Sequence, residues 1–170
     1  LSIRRQRQMC IRDRVWTAEM KGDSPGVLVD AGMCLLPSED TALYCFDAAA
    51  GTLLWKHLSG SALVNLPALT ATAIYQPVRH RSLVCLNRAD GSVRWELPEG
   101  VQLLAENGTV TYALTRNQEI TVMDNLTGKR RLVLPMPSLS LCVENTEDAM
   151  LFLSMPAGGL VALVPDKVAP

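Results

Sequence analysis

His57 and His80 are the only imidazoles in the chain, and a general base or metal ligand would be sought there first. Each stands beside basic or polar residues near an expected strand end or loop, so both are read as surface side chains. Beyond the first fourteen residues the cysteines are Cys34, Cys45, Cys85 and Cys142. They form no Cys-x-x-Cys or adjacent pair and have no histidine at ligand spacing, which argues against zinc. Cys45 and Cys85 fall at the same point of two successive repeats, inside apolar runs where cysteine serves as a small buried hydrophobe. Glu147-Asp148 is a carboxylate pair, but it lies where earlier repeats place a strand-connecting turn. Lys129-Arg130-Arg131 offers charge to an acidic partner; the favoured reading is a charged outer strand that resists edge pairing. Asn107-Gly108-Thr109 and Asn125-Leu126-Thr127 match the glycosylation triplet and coincide with turns. No catalytic, cofactor-binding or metal-ligating residue is assigned, and no cofactor is expected on these grounds.

The elements that would position any such group come from a repeat. An apolar run ends in Asp or Asn, Gly follows four positions on, and Trp eight positions on: Asp47, Gly51 and Trp55, then Asn87, Gly91 and Trp95. A third copy has Asp124 and Gly128 with Leu132 where Trp is due, and a fourth begins at Leu160-Val161-Ala162-Leu163 and loses its Asp and Gly. Trp16 precedes Trp55 by 39 residues, and Trp95 follows it by 40. An Asp or Asn side chain can bond backbone amides just downstream and start a turn, while Gly accepts positive φ. Each copy is therefore a hairpin.

Two further strand-like runs separate successive hairpins, as at 101–105 and 109–114 around the Asn107-Gly108 turn. In the first repeat the runs are 26–30, 33–37, 41–47 and 52–57. Four strands in about 40 residues is the blade of a β-propeller. No segment has helical periodicity with caps, so the fold class is all-β. The blades are expected at 26–57, 66–97, 101–135 and, in part, 139–166, with 167–170 as a tail. About three full blades plus partial ones result, with the last strand of a preceding blade near Val15-Trp16. Pro98 and Pro135 close the fourth strands and mark them as outermost, because proline cannot donate to a ladder. The repeated Trp on that strand is expected to dock between neighbouring blades, burying on the order of 200 Å².

Residues 1–14 differ from the rest: they hold five of the sixteen basic residues and have no strand pattern. They resemble a translated sequencing-library adapter and are expected to lie outside the fold. The remainder has eleven Lys and Arg against sixteen Asp and Glu, a formal charge of −5. That removes the basic footprint a nucleic-acid partner requires. No apolar run reaches the length of a membrane-spanning helix.

Asp47-x-x-x-Gly51-x-x-x-Trp55 and its second copy resemble the repeat of the pyrroloquinoline-quinone-binding-like (PQQ-like) propellers, over about residues 15–166. The order Asp, Gly, Trp differs from the Trp-Asp dipeptide of WD repeats, and only Gly158-Gly159 offers the double glycine of kelch. The resemblance implies one of two function groups. One comprises quinone-dependent dehydrogenases, which hold PQQ with calcium-liganding carboxylates and a catalytic Asp, many with a disulfide between adjacent cysteines. The other comprises non-catalytic propellers of the bacterial envelope that bind other proteins. This sequence has no adjacent cysteines, and Asp47 and Asp124 belong to turns. The expected function is accordingly a non-catalytic scaffold or protein-interaction module with a protein partner, in the periplasm or cell envelope on the strength of the resemblance. The alternatives are a fragment of a PQQ-dependent dehydrogenase, with PQQ and calcium, and a ligand-sensing domain of a signalling protein. The chain is expected to be part of a larger propeller.

Overall fold

The computed structural model describes residues 15–137, 141–155 and 158–164. Residues 1–14 and the 167–170 tail lie outside the described residues, as does most of the linker before the last blade.

The described chain is a succession of short antiparallel sheets. β1 (Leu28–Asp30), β2 (Met33–Pro37), β3 (Ala42–Asp47) and β4 (Leu53–Leu58) pair in sequence order, as do β5 (Ala68–Leu69), β6 (Ala73–Val78), β7 (Ser82–Asn87) and β8 (Val93–Pro98). β9 (Gly100–Glu106), β10 (Val110–Thr115), β11 (Glu119–Asp124) and β12 (Arg130–Pro135) form the third sheet, and β13 (Leu141–Val143), β14 (Leu151–Met155) and β15 (Gly159–Leu163) the fourth. These are four successive blades, the last with three strands among the described residues. The architecture is the all-β propeller expected from the repeat.

One local geometry recurs at each hairpin between third and fourth strands. Asp47, Asn87 and Asp124 each accept the amide of the glycine four residues on, at 2.8, 3.0 and 2.9 Å. Gly51, Gly91 and Gly128 sit at φ of +70°, +68° and +65°, a region that costs a residue with a Cβ. One residue past each turn the register slips, so that Leu54, Arg94 and Arg131 form a β-bulge before the Trp or Leu position. The bulged Arg94 and Arg131 fold back to donate to Asn87 and Asp124.

The core lies between sheets rather than within one. Leu35, Leu43 and Cys45 of blade 1 meet Leu63, Ile74, Val84 and Leu86 at blade 2. Tyr75, Leu83, Cys85 and Leu97 of blade 2 meet Leu103, Ala113 and Met123 of blade 3, and Tyr112, Ile120 and Val122 of blade 3 meet Cys142, Leu151 and Leu153. Third strands β3 and β7 are nearly continuous apolar runs because they are covered on both faces.

Residues 15–20, where the last strand of a preceding blade is expected, pair with no described strand. A strand exists only through its ladder, and this segment has side-chain contacts without one.

Candidate functional site

The repeat residues meet in pairs across the blade seams. Trp55 of β4 reaches the hairpin of blade 2, where its Nε1 donates to Arg88 O at 3.1 Å and its ring covers Gly91. A Cβ at Gly91 would stand 2.4 Å from Trp55 Cε3. Trp16 repeats this on blade 1, donating to Ala48 O at 3.0 Å, with Gly51 beneath its ring and Phe46 stacked at 6.3 Å. Trp95 covers Gly128 in the same way, but its buried Nε1 finds no acceptor among the described residues. The glycine thus serves twice, in its left-handed conformation and in the close approach of an indole. At the third copy Leu132 replaces Trp and is half exposed, as is the whole of β12.

Across the seam between blades 2 and 3 lies a buried polar network that sequence reasoning missed. Glu106 Oε1 accepts from Asn125 Nδ2 at 2.9 Å and from the Thr72 hydroxyl, Asn125 Oδ1 accepts from Thr111, and Thr111 Oγ1 bonds Tyr75 OH at 2.7 Å. Glu106 Oε2 is buried without a partner among the described residues. Burial pushes the Tyr75 phenol well above its ordinary value. These partners are separated by up to 36 residues and are ordinary strand types individually, so no spacing announces them. At the neighbouring seam Arg88 pairs with Asp30 at 2.8 Å.

Cys34, Cys45, Cys85 and Cys142 are buried free thiols. Burial pushes Cys45 up to about 11 and Cys85 up to about 12, which suits packing rather than nucleophilic attack. Asp47 Oδ1 accepts the amides of Ala49 and Ala50 at 2.9 and 2.7 Å. Asp124 Oδ1 accepts those of Leu126 and Thr127, while its Oδ2 meets Arg131 at 2.5 Å and the carboxyl is held well below the usual range. Glu147 and Asp148 lie in a turn organised by Asn145. His57 lies within β4, partly buried and with its pKa lowered by desolvation; His80 is exposed at φ +55° in the β6–β7 turn. Among the described residues no three His, Cys, Asp or Glu side chains converge to hold a metal. Among the described residues the donor set does not fit a calcium-bound quinone: Asp47 and Asp124 are turn residues and the cysteines are not adjacent.

Among the described residues a groove of about 220 Å³ opens at one end of the seam between blades 2 and 3. Its walls are Arg79 and His80 of the β6–β7 turn, Arg116 of the β10–β11 turn, Asn65, and Gly100-Val101 at the start of β9. No carboxylate lines it. Nothing in the repeat pattern marks these residues, because turn tips vary while hairpin residues repeat.

Residues 39–166 match the family described as outer membrane protein assembly factor BamB. Among solved structures, BamB from Moraxella catarrhalis is similar at 15% identity with a TM-score of 0.61, over 81% of this chain and 48% of that one. The computationally designed Ika4 protein is similar at 13% identity and 0.69, over 89% and 97% of the two chains, and the designed Ika8 protein at 14% and 0.62, over 80% and 44%. The chain spans about half the length of the BamB it matches. Comparison with curated protein sequences finds no match. The solved structures carry the fold alone, and the family match carries membership: the chain belongs to the PQQ-repeat propeller family of the outer membrane protein assembly factor BamB.

Proposed function

We propose that this chain is part of a non-catalytic propeller that holds protein partners in the bacterial envelope, and that an acidic segment of a partner docks in the groove between blades 2 and 3. The observation that carries this reading is the lining of the groove. Arg79, His80 and Arg116 line it beside Pro77 and Val78, and no carboxylate does, in a chain whose remainder beyond residue 14 is net negative. Complementary charge steers encounter and fixes register more than it adds affinity, which suits a scaffold. The family match supports the envelope setting, and the commitment of the repeat residues to turns and seams supports a scaffold over an enzyme.

Fluorescence anisotropy with a labelled Glu-rich peptide tests the docking. Binding that weakens as salt rises is expected, together with a loss of at least about tenfold, or about 1.4 kcal/mol, in the Arg79→Glu/Arg116→Glu variant. Equal binding of a Lys-rich peptide, or indifference to the double reversal, would contradict it.

A further inference from the structure

Arg81 pairs with Glu96, Arg88 with Asp30 and Arg131 with Asp124. Arg79 and Arg116, which line the groove between blades 2 and 3, enter no ion pair among the described residues. Beside Arg116, Thr115 is 5% exposed, and its buried Oγ1 has no partner among the described residues. β10 turns Thr111 and Ala113 toward blade 2, where Thr111 bonds Tyr75 and Ala113 packs with Tyr75 and Leu83. Period two places Thr115 on that same face, opposite Gly100 of the groove lining. A Cβ at Gly100 would stand 2.7 Å from Leu83 Cβ, so blade 2 closes the groove's inner end there.

The apolar wall has a cause as well. Leu114 stands opposite Gln102 but Thr115 opposite Gly100, which makes Val101 the extra residue of a β-bulge. Val101 lines the groove together with Pro77 and Val78. An apolar wall therefore lies beside two arginines and a buried hydroxyl.

We propose that the groove receives the C-terminal end of a partner protein. The α-carboxylate is held by Arg79, Arg116 and the Thr115 hydroxyl, and an apolar last side chain rests on Pro77, Val78 and Val101. This rests on the reading of the groove as the dock of an acidic segment, and names which acidic group enters. At about 220 Å³ the groove is smaller than the roughly 300 Å³ at which sites for whole small molecules begin. An internal Glu or Asp would bring two flanking peptide groups out of water, and Asn65 is the one amide side chain in the lining to meet them. A chain end presents carboxylate and side chain from a single Cα, which matches cationic and apolar walls side by side. Guanidinium groups take a carboxylate through planar, charge-assisted pairs, and terminal carboxylates are a recurring object of such capture.

The test is fluorescence anisotropy of the full chain with two peptides labelled at the N-terminus: Glu-Glu-Ser-Gly-Leu with a free C-terminal carboxylate, and the same sequence as its C-terminal amide. The amide is expected to bind at least about tenfold more weakly than the acid, and the acid to weaken when Ser replaces its last Leu. Thr115→Val, which removes the hydroxyl at nearly constant size, is expected to weaken the acid about tenfold and leave the amide unchanged. Equal binding of acid and amide, or an acid peptide indifferent to Thr115→Val, overturns the terminal assignment; if Arg79→Glu/Arg116→Glu still abolishes that binding, acidic docking itself stands. Binding of neither peptide, or binding indifferent to the double reversal, overturns both.

Discussion

At Gly91 a single hydrogen atom decides whether two blades fit. An added Cβ would meet the Trp55 ring at 2.4 Å in a backbone conformation that already disfavours side chains. Gly91→Ala is expected to lower stability by about 1–3 kcal/mol through overpacking, read as a shift in thermal midpoint. Trp55→Ala removes the ring itself and is expected to cost about 3–5 kcal/mol; an unchanged midpoint would deny the docking role. The indole nitrogens separate the two equivalent tryptophans. Trp55→Phe loses the bond to Arg88 O, whereas Trp95 has no described acceptor to lose, so Trp55→Phe is expected to cost about 1 kcal/mol more than Trp95→Phe. The buried thiols add a pH dependence. Folded Cys45 and Cys85 lie at about 11 and about 12 against 9.0 for an unperturbed thiol, so the unfolded chain ionises first. Stability is present in full below pH 9 and falls as pH rises from there through 11 to 12. Denaturant midpoints measured across that range check the sign, and native thiols are expected to resist alkylation at pH 8 until the chain is unfolded.

Between elements, hairpins and seams obey different logic. The hairpins were legible in the sequence because their causes are local: Asp47 and Asp124 bond amides two and three residues on, and the glycine follows at four. The docking of Trp between neighbouring blades was legible too, through the 39- and 40-residue spacing of the tryptophans, but not that the next blade's turn glycine receives it. The polar bridge of Glu106, Asn125, Thr111, Thr72 and Tyr75 was not, because the register of two different sheets brings it together. Asn125→Ala strips both Glu106 and Thr111 of a buried partner and is expected to cost about 1–3 kcal/mol, checked by equilibrium unfolding. The end groove escaped for a similar reason: Arg79 and Arg116 lie in turns of separate blades. Residues 15–20 show the opposite limit, where the Trp spacing located the side chain but pairing depends on a partner strand that no local pattern supplies.

For the whole molecule, stability resides in nearest-neighbour seams, as in other stacked repeats, so the two outer blade faces matter as much as the inner ones. The repeat uses its most distinctive residues to build those seams, and the proposed docking groove lies instead among turn tips at one blade end. That division of labour is why a fold stated so clearly in sequence says little about its ligand. The proposed scaffold role implies that these blades do not bind pyrroloquinoline quinone. Gel filtration of the intact chain after incubation with pyrroloquinoline quinone and calcium, followed by the quinone's absorbance, tests this most directly. The protein is expected to emerge free of quinone; quinone co-eluting in a calcium-dependent, stoichiometric amount would overturn the scaffold reading.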